Sequence, residues 1–369
     1  MIYRDTWAQV DLDKFAHNID VIKKHTGKEI FCVVKANAYG HGDIFIAKEA
    51  ISLGCAYIAV SSLDEAIALR KQGVDSPILI LGYVNPDDVH VVIKEKITMT
   101  VVSLDWAERI CSKKKIDGLK VHIKVDTGMN RLGIKKLEEI KKAMQMLLEK
   151  GVEIEGIYTH FHSADNPNKK SCDRQKNWFY HILDSLNFDF KWIHTANSDT
   201  SISYEVERCN AIRPGLALYG IKCVESPLNL IPILSLYTRI TCVKKIMPNE
   251  TVGYGATYKA KKEEWIATLP IGYGDGFTRS NQGRFLCLDG HPCEIVGRVC
   301  MDQCMIRLNE ERSAGEIVEI IGEHIGVEDM ARELKTIPYE ILCLFNDRIP
   351  RVFFKDKKMI GIQNNRMHE

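Results

Sequence analysis

The sequence contains no uninterrupted apolar run of the roughly 18 residues that a membrane span needs. Its opening, MIYRDTWAQVDLDK, has none of the apolar core of a secretory signal, so a cytoplasmic location is expected. Neither charge is in excess: 50 Lys+Arg stand against 49 Asp+Glu, a formal net charge of +1. So even a balance gives no electrostatic footprint for nucleic acid or an anionic membrane, and neither is expected as a partner. None of the twelve cysteines forms a CxxC pair. They read as reduced thiols, not as a disulfide framework or a zinc site, and no metal is expected. Internal repeats, low-complexity tracts and long linkers are also missing. What is left, 369 residues of which 45% are hydrophobic, is an enzyme-sized globular chain with room for two domains.

Short β-branched runs alternate with helical patterns up to about residue 225. The runs are 30–34, 57–60, 78–81, 99–102, 121–125, 154–158, 192–194 and 211–218. Between them, 135–150 carries Leu137, Ile140, Met144, Leu147 and Leu148 on one helical face. Ser62-Leu-Asp-Glu65 fits a capping box, and Asn85-Pro86 puts proline at a first helical position. Eight strands with crossover helices predict an N-terminal (β/α)8 barrel, with a doubly wound open sheet as the competing arrangement. Beyond about residue 230 the runs 237–243, 265–271, 285–288, 294–299 and 316–321 are punctuated by glycine-rich turns, with one helical stretch near 327–334. The expected division is a barrel over 1–230 and a mostly β domain over 231–369.

In a barrel of this kind, active-site groups stand at the C-terminal ends of the strands. The first run ends in Lys35, the fifth leads into Lys124 and Arg131, the sixth ends at His160, the seventh at Asn197 and Ser198, and the eighth holds Arg213-Pro-Gly215. A lysine directly after Phe-Cys-Val-Val meets desolvation that disfavours the ammonium and exposes a nucleophilic amine. The alternative is a lysine that snorkels out of the strand end. Ser198 and Gly215 suit a phosphate, by a hydroxyl donor and a glycine that admits close backbone approach, although both residue types also serve turns and caps. Arg213, in an apolar segment, needs a partner if buried, and a carboxylate is the ordinary one. His160 could act as a base, support another side chain or simply close a strand. Tyr273, in Ile271-Gly-Tyr273-Gly-Asp-Gly, could exchange protons if its phenol is tuned, or pack over the glycines beside it.

Val-Val-Lys35-Ala-Asn-Ala-Tyr39-Gly-His-Gly closely resembles the cofactor-lysine signature of alanine racemases, pyridoxal 5'-phosphate enzymes with an N-terminal barrel and a C-terminal β domain. The resemblance runs through nearly the whole chain, in Arg4-Asp-Thr-Trp-Ala, Lys124-Val-Asp-Thr-Gly-Met-Asn-Arg131, Tyr158-Thr-His160, Ala196-Asn-Ser198, Arg213-Pro-Gly215, Tyr254-Gly-Ala-Thr-Tyr, Val299-Cys-Met301-Asp302 and Arg348-Ile-Pro-Arg351. It implies a racemase of alanine that supplies D-amino acid for peptidoglycan. Lys35 would carry the cofactor and act as one base. Tyr273, contributed by the partner in a homodimer, would act as the other. Tyr39, Ser198, Gly215 and Leu216 would cradle the phosphate beside Asn197, and Arg213 would face the pyridine nitrogen. His160 would contact Tyr273 and Arg213, with His194 in support. Arg131 and Met301, with Asp302 adjoining, would receive the substrate carboxylate. Lys124 matches a lysine carbamylated in many members, and Arg298 and Asp165 match positions at the substrate entrance.

One position departs from many close relatives, which carry tyrosine just before Arg-x-Pro-Arg where this chain has Asp347. A small hydrogen-bonding residue there makes serine racemisation, of the vancomycin-resistance type, the alternative expectation. A pyridoxal-phosphate carrier without catalysis would share the barrel and lysine but lack the β domain and Tyr273.

Overall fold

The structure is a computed structural model that describes residues 2–367. After β1 (Thr6–Asp11) come β2 (Glu29–Val33), β3 (Tyr57–Val60), β4 (Ile78–Ile80), β5 (Ile97–Val101), β6 (Lys120–Lys124), β7 (Glu153–Tyr158), β8 (Trp192–His194) and β9 (Ala211–Ile212). The eight strands β2 to β9 close into a barrel of parallel neighbours, with β9 returning to pair with β2. Each lies within or over one of the eight runs expected from the sequence. β3, β4 and β5 are buried at every residue, which is why they read as unbroken apolar runs and not as alternating ones.

The eighth run was expected to extend to 218, but its strand stops at Ile212. Pro214 cannot donate to a ladder, and the backbone then turns on itself through Leu218 N to Gly215 O (2.9 Å) and Tyr219 N to Leu216 O (3.0 Å). The helix Leu137–Glu149 buries Ile140, Ala143, Met144 and Leu147, whereas Leu148, assigned to the same face, is 46% exposed. The capping box at Ser62 and Glu65 is present. Asn85-Pro86 opens a short 3-10 turn that leads into the helix Val89–Lys94.

From Leu234 the chain adds β10 (Leu234–Arg239), β11 (Cys242–Ile246), β12 (Thr251–Val252), β13 (Tyr258–Lys259), β14 (Glu264–Leu269) and β15 (Phe285–Leu288). It continues with β16 (His291–Glu294), β17 (Cys304–Leu308), β18 (Ile317–Ile321), β19 (Arg351–Lys355) and β20 (Lys358–Gln363). A seven-stranded sheet has the order β16-β15-β18-β10-β1-β19-β20, and β11-β14-β17 form a smaller one. The expected run 237–243 is therefore two strands, and 294–299 is no strand past Glu294. There Gly297, at φ 68°, lies so close to Val252 O that a Cβ would stand 2.7 Å from it. A second helix, Pro338–Leu344, follows Val327–Glu333 where only one was expected.

Contacts divide the chain into two compact units. One holds Lys14–Ala38 and Asp43–Pro232, the barrel. The other takes in residues up to Asp13, Tyr39–Gly42 and the chain from Ile233 onwards. Within it β1 pairs antiparallel with β10 and parallel with β19, with the Thr6 and Thr238 hydroxyls 2.8 Å apart.

Candidate active site

The barrel places its chemistry where the strands end. Lys35 follows β2, and the residues after it take a conformation that composition does not announce. Ala36, Asn37, Ala38 and Tyr39 all have φ between 52° and 54°. Left-handed backbone costs roughly 1–2 kcal/mol per non-glycine residue, so the surroundings must impose it. Within the barrel unit Ala38 N donates to Val34 O (2.8 Å), Asn37 Oδ1 accepts from Asp43 N (3.0 Å) and Glu65 Oε1 accepts from Ala36 N (2.7 Å). Glu65 thus caps its own helix and holds the turn beyond Lys35.

Arg213, at the end of β9, is buried. Its Nη1 donates to His194 Nδ1 (2.5 Å), and its Nη2 donates to the carbonyls of Thr159 (2.9 Å) and Thr195 (3.0 Å), with His160 Nδ1 at 3.4 Å. Among the described residues no carboxylate pairs with it, and its Nε–H has no acceptor. Burial lowers the guanidinium pKa to about 10. Burial also pushes His160 and His194 well below the ordinary imidazole range, and the adjacent Lys124 and Arg213 charges push the same way. His194 Nε2 in turn lies 2.8 Å from Nδ1 of His122, which burial pushes down to about 3.

These imidazoles are neutral in the folded protein and charged in the unfolded chain below about pH 6.5. As pH falls from there toward 3 the unfolded state binds the extra protons, so stability is lost on acidification. Urea unfolding at a series of pH values should show that acid limb, and His122→Phe should flatten part of it.

Lys124 stands beside this cluster, its Nζ 4.3 Å from the centre of the Tyr158 ring. Burial, then the charges of Arg213 and Arg131, push its pKa well below that of an ordinary lysine. Tyr158 stacks on His194 (4.6 Å, 12° between planes) and its hydroxyl meets Thr100 Oγ1 at 2.9 Å. Arg131 closes a loop that Asp126 organises by accepting from Gly128 N (2.9 Å) and Asn130 N (3.1 Å).

Ser198 is the hub of a second cluster. Its Oγ accepts from Gly215 N (2.8 Å) and Ala217 N (3.3 Å), which occupies its acceptor capacity and leaves its O–H to donate. Asn197 caps the short helix Ser198–Ser203, its Oδ1 accepting from Thr200 N (3.0 Å). Gly215 N, expected to face a phosphate, is therefore committed to Ser198. The N–H of buried Leu216 has no acceptor among the described residues.

The other unit gathers a separate set. Tyr273 N donates to Cys300 O (3.0 Å) and Gly274 N to Met301 O (2.8 Å), so the Tyr273 turn and the Met301 loop are bound together. Both side chains face outward, Tyr273 44% and Met301 54% exposed. The turn rests on fully buried Asp275, whose carboxylate accepts from Gly272 N (3.0 Å) and from both terminal nitrogens of Arg4 (2.6 Å each). Arg348 adds an ion pair to Asp275 (3.3 Å) and another to Asp302 (2.6 Å). Arg4→Ala would remove two hydrogen bonds to a buried carboxylate that still keeps Arg348, so it should lower the unfolding free energy by about 2 kcal/mol in urea titration. Asp347 is exposed and accepts from Asn365 Nδ2 (3.0 Å). Arg298 packs against Gly255, where a Cβ would stand 3.1 Å from its Nη1. Asp165, exposed, belongs to the barrel unit.

The profile described as "Alanine racemase, N-terminal domain" matches residues 10–223, and that described as "Alanine racemase, C-terminal domain" matches 233–353. The chain belongs to the alanine racemase family. It is 43% identical to an alanine racemase of Anoxybacillus flavithermus and 40% identical to that of Halalkalibacterium halodurans, alignments that cover 98% of each chain. It is also similar to the crystal structure of alanine racemase from Bacillus anthracis with bound L-Ala-P, with a TM-score of 0.94, 38% identity and coverage of 99% of this chain and 98% of that one. None of these relatives is a serine racemase, so the alternative drawn from Asp347 has no support here. That carboxylate is engaged by the chain's own Asn365.

The residues present fit the family's cofactor. A ring nitrogen without a proton is an acceptor, and Arg213 offers the spare Nε–H of a guanidinium with no acid to share it. A phosphate is an acceptor, and the Ser198 O–H and Leu216 N–H are donors in need of one. Sequence reading missed three supports of this arrangement: Asp275 beneath Tyr273, Tyr158 beneath Lys124, and His122 behind His194. Tyr158 and His122 are distant in sequence from what they support, and Asp275, although it stands in the same motif as Tyr273, shows its part only through its long-range pairing with Arg4.

Proposed function

We propose that the protein interconverts L- and D-alanine with pyridoxal 5'-phosphate held in the barrel mouth, as a homodimer in the cytoplasm that supplies D-alanine for peptidoglycan. The observation that carries this reading is Arg213, a buried cation whose partners are carbonyls and neutral imidazoles and whose Nε–H is free to face an unprotonated ring nitrogen. The cofactor, when bound, supplies an electron sink for the charge left when the α-proton departs. A guanidinium cannot give the ring nitrogen the proton that would draw this charge deep into the ring. Protons therefore return to the α-carbon, and racemisation is favoured over transamination.

Lys35 holds the cofactor and moves a proton on one face of the α-carbon. Tyr273 moves one on the opposite face. Its exposure on its own unit, together with that of Met301, suits a surface completed by a second copy of the chain. His160, whose Nδ1 lies 3.4 Å from Arg213 Nη2, links that phenol to the guanidinium. Arg131 and the Met301 backbone receive the substrate carboxylate, and Arg298 and Asp165 line its approach. Tyr39 joins Ser198 and Leu216 around the phosphate. Incubation of the purified holoprotein with L-alanine, with the D-isomer measured by D-amino-acid oxidase, tests the reading. Failure to form D-alanine would overturn it.

Burial and the flanking Arg213 and Arg131 charges favour the neutral amine of Lys124 over its ammonium, and the neutral amine is the form that adds carbon dioxide to give a carbamate and a proton. A carbamate there replaces a suppressed cation by an anion facing Arg131 and Arg213. Protein equilibrated with 13C-bicarbonate should show a carbamate carbonyl resonance that Lys124→Ala lacks.

A further inference from the structure

The barrel is locally deformed around one imidazole. Between β6 and β7 the register runs Lys120–Glu153 and Val121–Ile154, then jumps to His122–Gly156. Glu155 is left as an extra, bulged residue. Gly156 is glycine for want of space: a Cβ there would stand 2.8 Å from both Cε1 and Nδ1 of His122 and 2.9 Å from Trp192 O. A bulge and a glycine thus make room for His122, whose ring is fully buried and whose Nε2 has no partner among the described residues.

Its protons can be assigned by elimination. Arg213 only donates, so His194 Nδ1 must accept and carries no proton. His194 is neutral, so its proton sits on Nε2 and is donated to His122 Nδ1 at 2.8 Å. His122 Nδ1 must then be bare, and neutral His122 carries its proton on the partnerless Nε2. The unsatisfied donor is the cost of presenting a lone pair to His194. Without that acceptor, His194 could move its proton to Nδ1 or flip, and either would turn a donor toward the guanidinium.

Resting on the racemase reading, we propose that His122 is a positioning residue of the reaction. As obligatory acceptor for His194 it locks the tautomer that fixes the Arg213 guanidinium, and thereby the aim of its free Nε–H. The chain runs in one direction, from Arg213 N–H to His194 and from His194 N–H to His122. His122 touches neither cofactor nor substrate on this account.

The test compares 15N-histidine-labelled holoenzyme with its His122→Asn and His122→Leu variants. Asparagine places Oδ1 where Nδ1 was and keeps an acceptor, whereas leucine removes it. In the wild type the long-range imidazole spectrum should show His122 and His194 as neutral Nε2–H tautomers down to about pH 5. In His122→Leu the His194 signals should become a tautomer mixture, and kcat for alanine should fall about tenfold with KM within about twofold. His122→Asn should restore the single tautomer and most of kcat. A Nδ1-protonated His122 in the wild type overturns the proposal, as does a His122→Leu enzyme with wild-type kcat and an unchanged His194 spectrum. If the leucine variant does not fold, the wild-type tautomers and the asparagine variant decide. Failure of the racemase reading is separable, because the wild type then shows the tautomers but no alanine turnover.

Discussion

Lys35→Ala should fold and lose alanine racemisation by about ten-thousandfold, because one substitution removes both the point of cofactor attachment and one of the two bases. The two losses can be separated. The yellow absorbance of the bound cofactor should disappear after dialysis of the variant and persist in the wild type. Added methylamine, which supplies an amine without positioning it, should recover a small part of the rate in the variant. Borohydride reduction of the wild type should fix the cofactor on the peptide that contains Lys35. Retention of racemisation by Lys35→Ala would remove the foundation of the functional reading. The structural reason to expect a folded variant is that the backbone around the residue is secured by others. Glu65 and Asn37 hold the left-handed turn through main-chain N–H groups, without using the Lys35 amine.

Tyr273→Phe should lower turnover by about a thousandfold, the range of a lost acid–base group, with little effect on cofactor binding. The loss should be lopsided: exchange of the α-proton with solvent from the isomer that Lys35 deprotonates should survive far better than racemisation. The variant also tests whether sites are shared. Mixed and reassociated with Lys35→Ala protein, it forms hybrid dimers in which one site combines wild-type Lys35 with wild-type Tyr273. About a quarter of the wild-type rate should return if the phenol comes from the partner, and if it comes from the same chain the hybrids should stay inactive. The phenylalanine should be structurally mild. The turn is held by the Tyr273 and Gly274 backbone and by Asp275, and none of these bonds uses the phenol oxygen.

The barrel was legible because its strands are buried on both faces, and each left a short apolar run between helical patterns. The β unit was less so. β1 alternates buried and half-buried residues and is separated from its partner β19 by most of the chain, so no local pattern marks it as a central strand. The run 294–299 looks like a strand by composition, but Gly297 turns against Val252 and ends it. At the site the strand-end residues were readable because barrel geometry says where to look. For Arg213 the residue types alone left a carboxylate as the ordinary alternative, because burial of a charge calls for a partner without saying which; neutral imidazoles and carbonyls take that place. The four left-handed residues after Lys35 had one hint, Asn37, since alanine and tyrosine rarely adopt that backbone.

The place of β1 also sets an order of assembly. During synthesis this strand is made before every other described element, yet its parallel neighbour β19 is made only some 340 residues later. The barrel residues are complete well before then, so it can close while β1 still lacks its β19 neighbour. An extension fused to the amino end therefore burdens the last step of maturation, whereas one fused after residue 367 trails a strand, β20, that lies at the margin of the sheet.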